Sequence, residues 1–126
     1  MTRILQPPGW ARPKGFSHGI AVKGGTTVYV AGQVDASRAG FAAQFEGALM
    51  NILAVLGQAG GRPEHIVRLT WYVIDRDEYL GALKDIGAAY RRLMGQHYPA
   101  MAVVQVSGLV EDKARLEIEA TAVVPD

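Results

Sequence analysis

Apolar and polar positions along the 126-residue chain change period several times, and each change marks an element. From Ser17 to Val34 the pattern reads as a β-hairpin. Ile20 and Val22 belong to its first run and Thr27-Val28-Tyr29-Val30-Ala31 to its second. Lys23-Gly24-Gly25-Thr26 lies between them, and paired glycines suit the positive φ angles of a tight turn. From Ala42 to Ala59 the period becomes helical. Phe41, Phe45, Leu49, Ile52, Leu53 and Leu56 recur at spacings of three and four, with Gln44, Glu46, Asn51 and Gln58 on the other side. Ser37 is the candidate N-cap, and Gly60-Gly61-Arg62-Pro63 stops the helix. Ile66 to Ile74 is a strand. Asp75 and Glu78 have capping-box spacing before a second helix, whose apolar stripe is Tyr79, Leu83, Ile86, Tyr90, Leu93 and Met94 and whose end is Gly95. Ala100–Ser107 and Arg115–Val124 are the closing strands. The order β-β-α-β-α-β-β predicts a single α+β domain over residues 1–126. In it, two helices cover one face of a mixed sheet, and residues 1–13 form an N-terminal extension.

The strands differ in how they alternate. In the last one Leu116, Ile118, Ala120 and Ala122 face one way, and Arg115, Glu117, Glu119 and Thr121 the other, as a half-buried strand requires. The Ile66–Ile74 strand is apolar on both sides: Val67, Leu69, Trp71 and Val73 oppose Ile66, Thr70, Tyr72 and Ile74. Met101, Val103 and Gln105 likewise oppose Ala102, Val104 and Val106. Two helices cover only one face. The other is expected to keep more contiguous apolar surface than a monomer usually exposes, which points to a symmetric homo-oligomer. The alternative is that long loops fold over it.

Composition narrows the classes. An apolar fraction of 49% excludes disorder. Thirteen basic against twelve acidic residues, dispersed along the chain, leave no phosphate-tracking stripe, so nucleic acid is not the expected partner. The absence of cysteine removes disulfides, thiolate metal sites and cysteine nucleophiles together. No apolar run approaches the ~20 residues of a membrane span, and Met1–Trp10, with Pro7, Pro8 and Gly9, has no signal-peptide core, so a cytoplasmic domain is expected.

Chemistry-bearing groups are few. His18, His65 and His97 stand apart from one another and from carboxylates at ligand spacing, so no metal is expected. No P-loop, dinucleotide turn or nucleophile elbow occurs. Arg91 and Arg92, with Lys84, read as a solvated helix face. Glu117 and Glu119, two apart on a strand, share one face about 7 Å from each other. Buried between subunits, one of them would be pushed up in pKa and could hold or hand over a proton. On a solvated edge they would instead be ordinary surface carboxylates with Arg115 as ion partner.

Several segments together carry a resemblance. Gly15-Phe16-Ser17-His18-Gly19 and Val30-Ala31-Gly32-Gln33-Val34 are similar to the first hairpin of the Rid (RidA, or YjgF) family. Gln44 and Asn51, the Ile66–Asp75 strand and turn, Tyr98-Pro99-Ala100 and Leu116-Glu117-Ile118-Glu119-Ala120 also fit, so the resemblance covers roughly Lys14 to Val124. It implies a chorismate-mutase-like fold, a homotrimer, and small-molecule clefts between subunits. It also implies cofactor-free, metal-free hydrolysis of reactive imines and enamines with release of ammonia. Carried over, the catalytic glutamate is Glu117. The substrate-facing positions are Phe16, Gly32, Gln33, Trp71, Ala100, Met101 and Val103. The family's carboxylate-gripping arginine falls on Met101, a thioether with no anion contact. Losing such a contact removes on the order of 2–5 kcal/mol of binding in a buried site. The expectation is therefore a Rid-like protein that binds or hydrolyses a small imine or enamine without being a typical 2-imino-acid deaminase, with Arg68 or Arg115 as substitute anion partners. A non-catalytic binding protein is the alternative, and a ribonuclease, an activity attributed to parts of this superfamily, the third reading.

Overall fold

The computed structural model describes residues 2–126. Its strands are β1 (Thr2–Leu5), β2 (Gly19–Val22), β3 (Thr26–Gln33), β4 (Ile66–Val73), β5 (Ala100–Gln105) and β6 (Leu116–Val124). Its helices are α1 (Phe41–Gly57), α2 (Arg76–Gly81) and α3 (Leu83–Met94), with a 3-10 turn at Pro63–His65 before β4. Four strands form the main sheet in the order β3-β6-β4-β5. The last strand is inserted between β3 and β4, antiparallel to both, while β5 runs parallel to β4. This is an α+β fold with both long helices on one sheet face.

The core explains that placement. Phe45, Leu49, Ile52 and Leu56 of α1 are fully buried and meet Leu69, Leu116, Ile118 and Ala122 of the sheet. Each such side chain contributes about 1.5–3 kcal/mol on burial. Ala120 and Ala122, on the central strand, give α1 room to approach. On α3, Ile86, Ala89, Tyr90 and Met94 are the buried positions. The alternation expected for β6 holds: Leu116, Ile118, Ala120 and Ala122 are all buried.

Several local expectations are corrected. β2 does not pair with β3. It pairs with β1, so part of the expected N-terminal extension is a strand in a separate two-stranded sheet. Gly24 and Gly25 do take positive φ (72° and 79°), but they carry the chain from one sheet to the other. A Cβ on Gly25 would lie 2.6 Å from the Val124 carbonyl oxygen, so the glycine lets β3 close against the end of β6. α1 starts at Phe41 behind Gly40, with no side-chain cap, and the Ser37 hydroxyl instead donates to Asp35 Oδ1 at 2.6 Å. The second helix is broken at Ala82 (φ −105°, ψ 6°), directly after Gly81, a poor helix former. Asp75 caps α2 by accepting from the backbone N–H groups of Asp77 (2.9 Å) and Glu78 (3.2 Å), but the Glu78 carboxylate turns to Arg115 rather than back to the cap.

The uncovered face is also less apolar than strict alternation implies. The β4–β6 register shifts between Ile66 and Arg68, which places Ile66 in the helix-side core and leaves Val67 as the extra residue. Tyr29, Tyr72 and Val104 share the face with Arg68, Thr70, Glu117, Glu119 and Thr121. Tyr29 is 80% exposed there.

Candidate functional site

A cleft of about 560 Å³ lies between α3, the β4–β5 edge of the sheet and the loop before β2. A pocket of this size suits a small organic ligand. Its floor comes from neighbouring parallel strands, where Trp71 is opposite Val103 and Leu69 opposite Met101 in register. One wall is the face of α3 with Leu83, Ile86 and Tyr90, and Tyr79 arrives from α2. The other is Lys14-Gly15-Phe16, pinned in place by its neighbour: the Ser17 N–H donates to the Pro99 carbonyl (3.1 Å) and its hydroxyl to the Tyr98 carbonyl. That pair of bonds ties the loop to the start of β5 and so fixes the cleft's width.

Aromatic packing makes the cleft rigid. Trp71 stacks on Phe45 with centroids 4.7 Å apart and meets Tyr79 edge-to-face at 5.8 Å. Tyr90 stacks on Tyr98 at 5.4 Å, and its hydroxyl donates to the His97 carbonyl at 2.7 Å. Burial pushes the Tyr79 hydroxyl above the ordinary tyrosine range, and pushes Tyr90 far above it with help from Tyr98. Both stay neutral donors. The indole N–H of Trp71 is buried without a hydrogen-bond partner among the described residues. At the lip, His18 stands edge-on between Trp10 (5.0 Å) and Phe16 (5.6 Å).

Four of the residues read from the sequence, Phe16, Trp71, Met101 and Val103, meet in this cleft. The others lie elsewhere. Glu117 is on the opposite sheet face, in register with Tyr72. It folds over Gly32, where any Cβ would overlap its carboxylate, so these two do form a unit. Beside it, Glu119 accepts from the Tyr72 hydroxyl (2.7 Å), which raises the Tyr72 pKa. Arg68 and the backbone of Ala100 are paired on that same face, away from Met101. Gln33 turns back to donate to the Ala31 carbonyl at 3.1 Å. The Arg115 guanidinium is held by Glu78 at 2.9 Å and does not line the cleft, so it is not the free anion partner the sequence offered.

Sequence reasoning missed the α3 wall as a ligand surface, because Leu83, Ile86 and Tyr90 at helical spacing carry the same signal as core. It also missed Lys14 and Arg91, which are the charged residues lining the cleft among the described residues. Among the described residues no group of three or more His, Cys, Asp or Glu side chains could hold a metal. No helix of the described residues is long and apolar enough to cross a membrane.

A mixed sheet with its last strand inserted centrally, two long helices on one face and a cleft beside the parallel strand pair define a YjgF-like α+β protein. The sequence profile of the family described as Endoribonuclease L-PSP matches residues 11–124, and the chain belongs to this family, the RidA/YjgF group. Protein DfrA of Myxococcus xanthus is 31% identical over 115 residues, covering 86% of this chain and 84% of DfrA. The Rid-family protein YyfB of Yersinia pestis superimposes with a TM-score of 0.83 at 30% identity, covering 98% of both chains. The Escherichia coli YjgF gene product does so with a TM-score of 0.66 at 29% identity, covering 87% of this chain and 88% of its own.

Proposed function

We propose that this protein binds, and hydrolyses, a small imine or enamine in clefts completed by neighbouring copies of the chain, as a homotrimer. We further propose that Met101 removes it from the enzymes that grip 2-imino acids through an arginine at that position. One observation carries this reading: Met101 and Glu117 lie on opposite faces of the same sheet. A reactant can touch both kinds of position only if a second copy brings its Glu117 face to the first copy's cleft. Family membership and the mixed apolar-polar character of the Glu117 face support such an assembly. Within it, Glu117 serves as the base or water-positioning group, held by its seat on Gly32. Phe16, Trp71, Met101 and Val103 supply an apolar pocket that shields a reactive imine from bulk water. The mechanism calls on no cofactor.

The test is ammonia release from imines generated in situ by amino-acid and amine oxidases. Acceleration is expected for neutral or apolar imines over small 2-imino acids. Met101→Arg is expected to raise small 2-imino-acid hydrolysis about thirtyfold or more, the lower end of what a recovered charged contact supplies. No acceleration with any member of the panel, or sedimentation as a single chain at micromolar concentration, overturns the proposal.

A further inference from the structure

Within one chain, the described residues that line the cleft bring two positive charges and no negative one. Lys14 and Arg91 line it, no Asp or Glu does, and neither cation forms an ion pair among the described residues. The contrast with the neighbouring arginine is direct, since Arg92 is bound by Glu46 and Arg38 also reaches that carboxylate. Arg91 is one turn beyond Gly87 on α3, and its Nη1 is 3.2 Å from where a Gly87 Cβ would stand. A glycine inside a helix weakens it, and here its missing side chain lets the guanidinium lie back along α3 on the cleft side. The floor beneath is apolar: Met101, Val103 and Trp71.

We infer that Arg91, with Lys14 opposite, is the anion anchor of this cleft, and that its ligand is an organic carboxylate with an apolar, preferably aromatic, body lying on Met101, Val103 and Trp71. This deepens the reading above by assigning the ligand class to the same cleft, and rests on that cleft being the site. The anchor sits at the α3 wall instead of at the strand position Met101 occupies. The carboxylate is therefore held at the rim and the apolar body fills the depth that an arginine at 101 would otherwise occupy. A small acid cannot span both, so selectivity favours longer, apolar acids. A guanidinium offers the bidentate fork that suits a carboxylate, and the cleft's aromatic walls suit a flat body.

The experiment compares 3-phenylpropionate with 3-phenylpropionamide and with acetate by isothermal titration at low ionic strength on the full chain. The acid is expected to bind about tenfold tighter than the amide, the size of one charge-assisted contact, and acetate not to bind detectably. Arg91→Gln is expected to bring acid and amide within about threefold of each other with thermal stability unchanged, and Arg91→Lys to keep part of the preference. Equal affinity for acid and amide, an unchanged preference in Arg91→Gln, or no binding of either compound overturns the assignment. Imine turnover without acid preference overturns the anchor alone. Acid preference without any imine turnover keeps the anchor and overturns the catalytic reading.

Discussion

Gln44 is the most informative residue for testing how the fold sets up its sheet. It is 3% exposed on α1. Its amide nitrogen donates to the Arg38 carbonyl (3.0 Å) and the Lys113 carbonyl (3.3 Å), and its oxygen accepts from the Arg115 N–H (2.7 Å). One side chain thus ties the helix to the loop before it and to the approach of the central strand β6. Gln44→Leu keeps the volume and removes all three bonds. Each stranded backbone group costs about 1 kcal/mol where loops can relax toward water, and more where they cannot. Leucine burial returns a fraction of that, which leaves a net loss of about 2–3 kcal/mol. With an unfolding entropy of about 2.1 cal/mol/K per residue, the melting temperature should fall by about 8–11 °C. Urea unfolding followed by tryptophan fluorescence, at fixed protein concentration so that assembly contributes equally, measures the difference. Hydrogen exchange should localise it, with the Arg115 amide losing protection before the α1 interior. A change below about 0.5 kcal/mol, within the range of ordinary surface substitutions, would refute the stapling role.

Two further outcomes follow from single contacts. The Tyr90 hydroxyl is held well above the ordinary value of 10.0 chiefly by burial, so the folded chain keeps a proton that the unfolded chain releases near pH 10. Its contribution is complete below pH 10 and lost as pH rises beyond it. Tyr90→Phe should cost about 1 kcal/mol at pH 7 through the lost bond to His97, yet flatten the alkaline fall in stability, as read from urea midpoints across pH 8–11. An alkaline slope identical in the variant would refute this. Gly32→Ala should displace the Glu117 carboxylate without unfolding the chain. Any imine turnover should fall about as far as in Glu117→Gln, and the double variant should be no worse than either single one. Additive losses would show that the two do not act as a unit.

The sequence determined by itself what depends on local period. Phe45, Leu49, Ile52 and Leu56 mark α1, Leu116, Ile118, Ala120 and Ala122 mark the inner face of β6, and the order of segments reveals an α+β domain. Gly95 ends α3 with φ 65°, as its position predicted. The family was legible too, because its short motifs keep their order and spacing over most of the chain. Tertiary structure alone decided the partners. Two apolar runs beside a Gly-Gly turn do not say whether they pair with each other, and β2 instead takes β1 while β3 takes β6. A bulge at Val67 moves Ile66 to the other face, because one extra residue inverts a period of two. Charge pairing is likewise a matter of distance. Arg115 is taken by Glu78, 37 positions away in the chain, and Arg91, adjacent to the engaged Arg92, lies over the cleft with no ion pair among the described residues. Side chains alternate between faces along every strand, so Met101 on β5 and Glu117 on β6, which the family motifs assign to one site, lie on opposite sides of the sheet that carries them.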